Sequence, residues 1–169
     1  MVLASNTYTW TPIYVWVLFL WWKKTGTTIW LPILVTLLLL LLTDQITTQV
    51  FKPVFHRFRP CWNEELRGKL YILEGICGGK YGFISSHAAN TAGYMVFSCI
   101  LLRSNPLKWV MLFMVLIVGY SRVYLGVHYP LDVLCGWLLG VLMGQLMVFG
   151  YAKVLPAVVK TEQEQHRKV

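Results

Sequence analysis

The run WLPILVTLLLLLLT (Trp30 to Thr43) carries no ionisable side chain. A helix that apolar on every face has no side to offer to water, so it belongs in lipid or deep in a large core. At 169 residues the chain is one domain by length. A soluble domain of that size needs far fewer apolar residues than the 57% present, against only 13% charged. An integral membrane protein is the reading that fits. The net charge of +8 does not point to nucleic acid. Its basic residues stand singly between apolar runs and build no basic face. A lipid membrane and an anionic substrate account for the charge.

Five apolar segments follow, at about Tyr8–Trp22, Thr28–Val50, Phe83–Leu102, Leu107–Gly119 (extending towards Tyr124) and Pro130–Leu155. The fold class expected is all-α, a polytopic bundle of about five spans, forming one membrane-embedded domain over residues 1–169 with its site within 52–132. Trp10, Trp16, Trp21, Trp22 and Trp30 read as interfacial anchors. No internal repeat is visible, and the one long loop is about Arg59–Tyr81. The polar tail, about 156–169, is expected to be solvated and partly frayed. Lys23 and Lys24 follow the first apolar run, which argues against a cleavable signal.

An odd number of spans puts the termini on opposite sides. Lys23, Lys24, Arg103, Lys108, Lys153, Lys160, Arg167 and Lys168 share one side; Lys52, Arg57, Arg59, Arg67, Lys69, Lys80 and Arg122 share the other. Setting aside Lys52, Arg59 and Arg122 as substrate ligands leaves four against eight, so the tail is assigned to the cytoplasm.

Three polar stretches interrupt the apolar pattern: FKPVFHRFRP after the second span, GFISSHAAN at the start of the third, and SRVYLGVHYPLD between the fourth and fifth. The order of spans brings all three to one membrane face. Ionisable groups at such depth are costly unless they build a site. Lys52, Arg59 and Arg122 are suited to phosphoryl oxygens, the arginines two at a time. Ser85, Ser86 and His87 open a helix whose free N–H groups favour an anion. Pro130 suits the first helical position, which puts Asp132 in the first turn, able to accept Nδ1–H of His128 and leave the other nitrogen as a nucleophile.

These stretches resemble the signature of the type 2 phosphatidic acid phosphatase family, which shares its site with vanadium haloperoxidases. Lys52 to Arg59-Pro60 matches the first motif, and Ser121-Arg122, His128 and Asp132 match the third in full. Ile84-Ser85-Ser86-His87 matches the second in part, with Ile84 for its proline and Ser86 for its glycine. The resemblance implies a lipid phosphatase in which His128 is the nucleophile, Asp132 its orienting partner, and His87 the acid and then the base. Lys52, Arg59, Ser85 and Arg122 would hold the phosphoryl group, with Ser86 as an added hydroxyl donor. No metal or organic cofactor is implied. Substrates of that class are undecaprenyl pyrophosphate, phosphorylated lipid A and phosphatidate-type lipids. The small size fits a bacterial enzyme, expected in the inner membrane with its site facing the periplasm or exterior. A phosphotransferase working through the same phosphohistidine is the alternative, and a non-catalytic protein binding anionic lipid is a third reading. The family's usual six core helices, against five counted, leave room for a segment ahead of Met1.

Several residues take plainer readings. His56 and Arg57 match no motif position and are read as headgroup-region residues. Asp44 is read as a helix–helix polar contact in preference to a point near the site, and Asn90 as a helix–helix hydrogen bond. The glycines of GWLLGVLMG (Gly136 to Gly144) fit close helix packing. Cys99 and Cys135 are apolar fillers. Cys61 and Cys77, in the loop on the outer side, are a disulfide candidate.

Overall fold

The computed structural model describes residues 1–66 and 77–166, with side chains as far as Pro156. Part of the Arg59–Tyr81 loop lies outside the described residues, as do Arg67, Lys69, Arg167 and Lys168. Among the described residues seven α-helices run in the order α1 Val2–Ser5, α2 Thr11–Thr25, α3 Trp30–Gln45, α4 Lys52–Phe55, α5 Ser86–Leu102, α6 Asn105–Tyr124 and α7 Pro130–His166. No strand occurs among the described residues; a single bridge pairs Phe58 with Tyr81. The chain is an all-α membrane bundle.

Proline and glycine mark most of the breaks. Pro12 and Pro106 sit in the first turns of α2 and α6, where a missing N–H costs nothing. Gly26, at φ +55°, ends α2 in a conformation that a side chain disfavours. Helix α3 does not stop at Gln45. It passes into a π-helical turn, Ile46–Phe51, and then into α4. Pro53 supplies a reason: it has no N–H for the carbonyl of Gln49 four residues back, and its ring crowds that carbonyl. The wider turn relieves both. His56 then closes α4 at φ +45°.

Among the described residues three stretches are long and apolar enough to cross a membrane: Thr7–Phe55, which contains both α2 and α3, Asn105–Tyr124, and Pro130–Pro156. Helix α5 is the central one, with Ala88, Ala89, Ala92 and Phe97 fully or nearly buried. It packs most closely on α7. A Cβ on Gly136 would lie 2.6 Å from the Ser85 carbonyl oxygen, and one on Gly144 would lie 2.8 Å from that of Gly93. The spaced glycines thus bring two backbones together, as expected.

Trp21 departs from the interfacial reading. It is 1% exposed and makes edge-to-face contacts with Tyr94 and Phe97, at centroid distances of 6.0 and 5.9 Å. Val17 and Trp21 lie on one face of α2, four residues apart, and that face is the one turned to the core. Trp16, Trp22 and Trp30 remain exposed. Helix α7 also departs from expectation: it continues through Pro156 to His166, where a frayed tail was expected from about residue 156. The residues of that extension include Lys160, Glu162, Gln163, Glu164 and Gln165, all good helix formers.

Candidate active site

Helices α3 and α5 run antiparallel with a readable register. Thr47 Oγ1 lies 2.6 Å from Ser86 Oγ, and one turn further into the bundle the Thr43 hydroxyl meets Asn90 Oδ1. That register brings the end of α3 level with the start of α5. Lys52, Arg59, Ser86, His87, Arg122 and His128 all line one cavity of about 690 Å³. At the other end of the bundle, Lys24 Nζ donates to the Leu101 carbonyl, near Arg103.

Ser85 and Asp132, also expected in the site, lie off the cavity wall. Ser85 is the N-cap of α5: its hydroxyl accepts from Ala88 N at 3.4 Å, and its own N–H donates to the Asp132 carbonyl at 3.0 Å. The Ser86 hydroxyl pairs with Thr47 and accepts from Lys52 Nζ at 3.4 Å. Serine at this position therefore ties Lys52, just beyond the π-turn, to α5.

Asp132 is fully buried behind His128. Its Oδ1 accepts from Arg57 Nη1 at 2.8 Å and its Oδ2 from Tyr129 N at 2.9 Å; Oδ2 is 3.7 Å from His128 Nδ1. Arg57 also lies over the Tyr129 ring, 4.3 Å from its centroid. Arg57 is thus part of the site's support, where the sequence offered only a headgroup residue. Burial pulls the His128 imidazole below its ordinary value, and the Asp132 carboxylate pulls it back up. The ring is mainly neutral at neutral pH.

Arg59 is held by loop carbonyls, with Nη1 donating to Cys77 O at 2.6 Å and Nε to Tyr81 O at 3.3 Å. Burial lowers its guanidinium below the usual value, and Asp132 opposes that shift. A disulfide joins Cys61 to Cys77, with Cα atoms 6.1 Å apart. Cys61 N in turn donates to Gly126 O at 3.0 Å, which ties this clasp to the α6–α7 turn. Gly82 is required by close approach, since a Cβ there would lie 2.8 Å from Arg59 Cγ. Arg122 is 8% exposed; its Nη1 donates to the Ser5 hydroxyl of α1, and its Nε has no partner. Among the described residues no carboxylate forms an ion pair with Lys52, Arg59 or Arg122. Three cations around one cavity, none of them in direct contact with a carboxylate among the described residues, make a receptor for an anion.

From the same cavity a groove runs between α2 and α3, walled by Tyr14, Leu18, Trp21, Ile33, Leu37 and Leu40. Leu18 and Leu37 are 39% and 59% exposed, so the groove is open towards the surface of the bundle. Of the polar residues set aside, Asn90 makes the expected helix–helix bond, to Thr43. Asp44 does not: its side chain lines the cavity.

The chain is 33% identical to a lipid A 4'-phosphatase of Porphyromonas gingivalis over 154 residues, which are 89% of this chain and 65% of that protein. A second lipid A 4'-phosphatase, from Bacteroides thetaiotaomicron, is 34% identical over 83% of this chain and 63% of its own length. An undecaprenyl-diphosphatase of Sulfolobus acidocaldarius is 33% identical over 80% of this chain and 60% of its own. The chain therefore spans 60 to 65% of the length of these three relatives. No solved structure is a significant match. The sequence model of the PAP2 superfamily matches residues 33–154, a stretch that includes every residue of the cavity from Lys52 to His128, and the chain belongs to that superfamily.

Proposed function

We propose that this chain is a membrane lipid phosphatase, removing a terminal phosphomonoester or pyrophosphate from a lipid through a phosphohistidine. The observation that carries the reading is the cavity itself. Lys52, Arg59 and Arg122, with no direct ion pair to a carboxylate among the described residues, surround the same space as His87 and His128. That space continues into an apolar groove suited to a lipid chain. The relatives' names, lipid A 4'-phosphatase and undecaprenyl-diphosphatase, fit a lipid phosphate.

In this reading the phosphoryl group sits among the three cations. Asp132, held by Arg57 and the Tyr129 amide, stands 3.7 Å from His128 Nδ1, which has no hydrogen-bond partner among the described residues. Closing that gap would keep the proton of His128 on Nδ1. Nε2 of His128 attacks phosphorus, the bond from phosphorus to the lipid oxygen breaks, and His87 gives that oxygen a proton. His87 then takes a proton from water as the water attacks the phosphohistidine, and inorganic phosphate leaves. The cations act throughout by neutralising charge that grows on the phosphoryl oxygens. No metal is called on. The separation of Lys24, Arg103 and Lys108 from the cavity end supports placing the site on the outer face of the inner membrane.

Purified protein in detergent micelles, given a panel of lipid phosphates and followed by mass spectrometry, tests the reading. Release of inorganic phosphate, abolished in His128→Ala, is the expected result. Phosphate transferred to an acceptor would make the chain a phosphotransferase. Binding without turnover on every lipid would make it a carrier of anionic lipid.

A further inference from the structure

Among the described residues, Asp44 is the one acidic side chain on the wall of the cavity. It stands near the C-terminal end of α3, still within an apolar stretch, where an unpaired carboxylate is costly. Its main-chain carbonyl accepts from the hydroxyls of Thr47 and Thr48, at 3.0 and 2.7 Å. The carboxylate itself has no hydrogen bond or ion pair among the described residues, and it is exposed within the groove. Nothing in the packing of α3 explains it.

The register of α3 against α5 gives its depth. Thr47 meets Ser86 at the level of the cations, and Thr43 meets Asn90 four residues further along each helix. Asp44 and Asn90 are thus less than one helical turn, ~3–5 Å, below His87. Asn90 and Thr91 follow His87 by three and four residues, so they share its face of α5. All three line the same cavity. Asn90 spends its Oδ1 on Thr43 and keeps its amide N–H donors unused by the described residues. Thr91 donates its hydroxyl to the His87 and Ala88 carbonyls and keeps lone pairs free. Beyond this polar band the wall turns apolar, with Leu18, Trp21, Ile33 and Leu37.

A lipid phosphate seated at the cations lays the first few atoms beyond its ester oxygen against this band, and its tail against the apolar wall. An ionised carboxylate only accepts. Asp44 therefore calls for a hydroxyl or amide N–H at that depth, and Asn90 for an acceptor beside it. A polyprenyl chain offers neither, and a diacylglycerol link offers ester carbonyls but no donor. We propose that Asp44, Asn90 and Thr91 form a second subsite, which recognises a hydroxyl- or amide-bearing link between phosphate and tail. Phosphorylated glycolipids built on an acylated amino sugar are then preferred to polyprenyl phosphates and phosphatidate. This rests on the phosphatase reading and adds a selectivity to it. The physical ground is that a site made to hydrogen-bond a substrate rejects an analogue that leaves its polar groups unpaired.

The test is a selectivity ratio. Wild-type protein, Asp44→Asn and Asp44→Leu are assayed for phosphate release from four lipids at one mole fraction in one detergent. These are an acylated glucosamine phosphate, phosphatidylglycerol phosphate, phosphatidate and a polyprenyl diphosphate. The ratio of kcat/KM on the amino-sugar lipid to that on the polyprenyl lipid is the readout. Both rates come from one preparation, so any fraction that fails to fold cancels. Wild type should favour the amino sugar. Asp44→Leu should lower the ratio by about ten- to a hundredfold, the loss of a hydrogen bond to a charged acceptor, chiefly through KM. Asp44→Asn should fall between the two. A comparable fall on phosphatidylglycerol phosphate alone would identify a glycerol hydroxyl as the group read, and so overturn the sugar assignment. A wild type that prefers the polyprenyl lipid, or a ratio unmoved within threefold in Asp44→Leu, overturns the subsite and leaves the phosphatase standing. No phosphate from any lipid overturns the phosphatase, and the subsite with it.

Discussion

His87 and His128 face one cavity from different elements, α5 and the α6–α7 turn, and their proposed duties differ enough to be separated. His128→Ala should abolish turnover on every substrate, because it removes the bond to phosphorus. His87→Ala removes a proton donor worth about 10²–10⁴-fold on a lipid ester. A nitrophenyl phosphate, whose leaving group needs little protonation, should lose much less in its first step and accumulate phosphoenzyme. Single-turnover rates of both variants on both esters check this; equal losses for His87→Ala would show the roles misassigned. The protonation of His128 gives a second check. Its folded value lies below the ordinary ~6.5, so the neutral, nucleophilic ring should persist to more acidic pH than in a free histidine. NMR titration, with the resonance assigned by its loss in His128→Gln, should show a midpoint below that figure. Asp132→Asn, which removes the charge that favours protonation, should lower it further. The spacings from Lys52 to Arg59 and from Arg122 to Asp132 are visible in the sequence because each lies within a short stretch. Arg57 is not, because its partner Asp132 lies 75 residues away and nothing in the chain announces the pairing. Thr47 and Gly82 are hidden for the same reason: their partners, Ser86 and Arg59, lie on other elements.

At the scale of the element, the π-turn Ile46–Phe51 controls where Lys52 points. Deleting Gln49 should restore an ordinary helical register and rotate Lys52 by about 100° away from the cavity. Vanadate binding and phosphate release should both fall sharply, while a Gln49→Ala variant keeps them. A deletion variant with ordinary activity would show that the turn does not place Lys52. The apolar pattern of α3 locates this span but carries no sign of the turn, since adding one residue to a helical turn leaves an all-leucine face unchanged. Pro53 was the available clue. The long lipid-facing run and the glycine spacing of α7 could be read because each rests on a periodicity within one helix. Trp21 could not, because an anchor and a core tryptophan differ only in which helix lies opposite.

For the molecule as a whole, the anion receptor consists of Lys52, Arg59 and Arg122, and the carboxylate nearest the reacting group, Asp132, is buried and engaged by Arg57. Activity should therefore withstand millimolar chelator and be inhibited by vanadate, which takes the shape of the five-coordinate phosphoryl group. Loss of turnover in chelator with recovery on adding one divalent metal would contradict the assignment. The bundle and its membrane character follow from composition, whereas the packing of its helices depends on contacts between segments far apart in the chain. The groove between α2 and α3, with Leu18 and Leu37 at its exposed rim, has a kinetic consequence. A lipid that enters sideways between two helices never passes through water, so a phosphatase of the proposed kind would sample a two-dimensional sheet of neighbours. Its rate should follow the fraction of substrate among the surrounding amphiphiles and not the number of substrate molecules per litre. Diluting the substrate with inert detergent at constant bulk concentration should slow turnover in proportion, and adding buffer alone should leave the rate per enzyme unchanged.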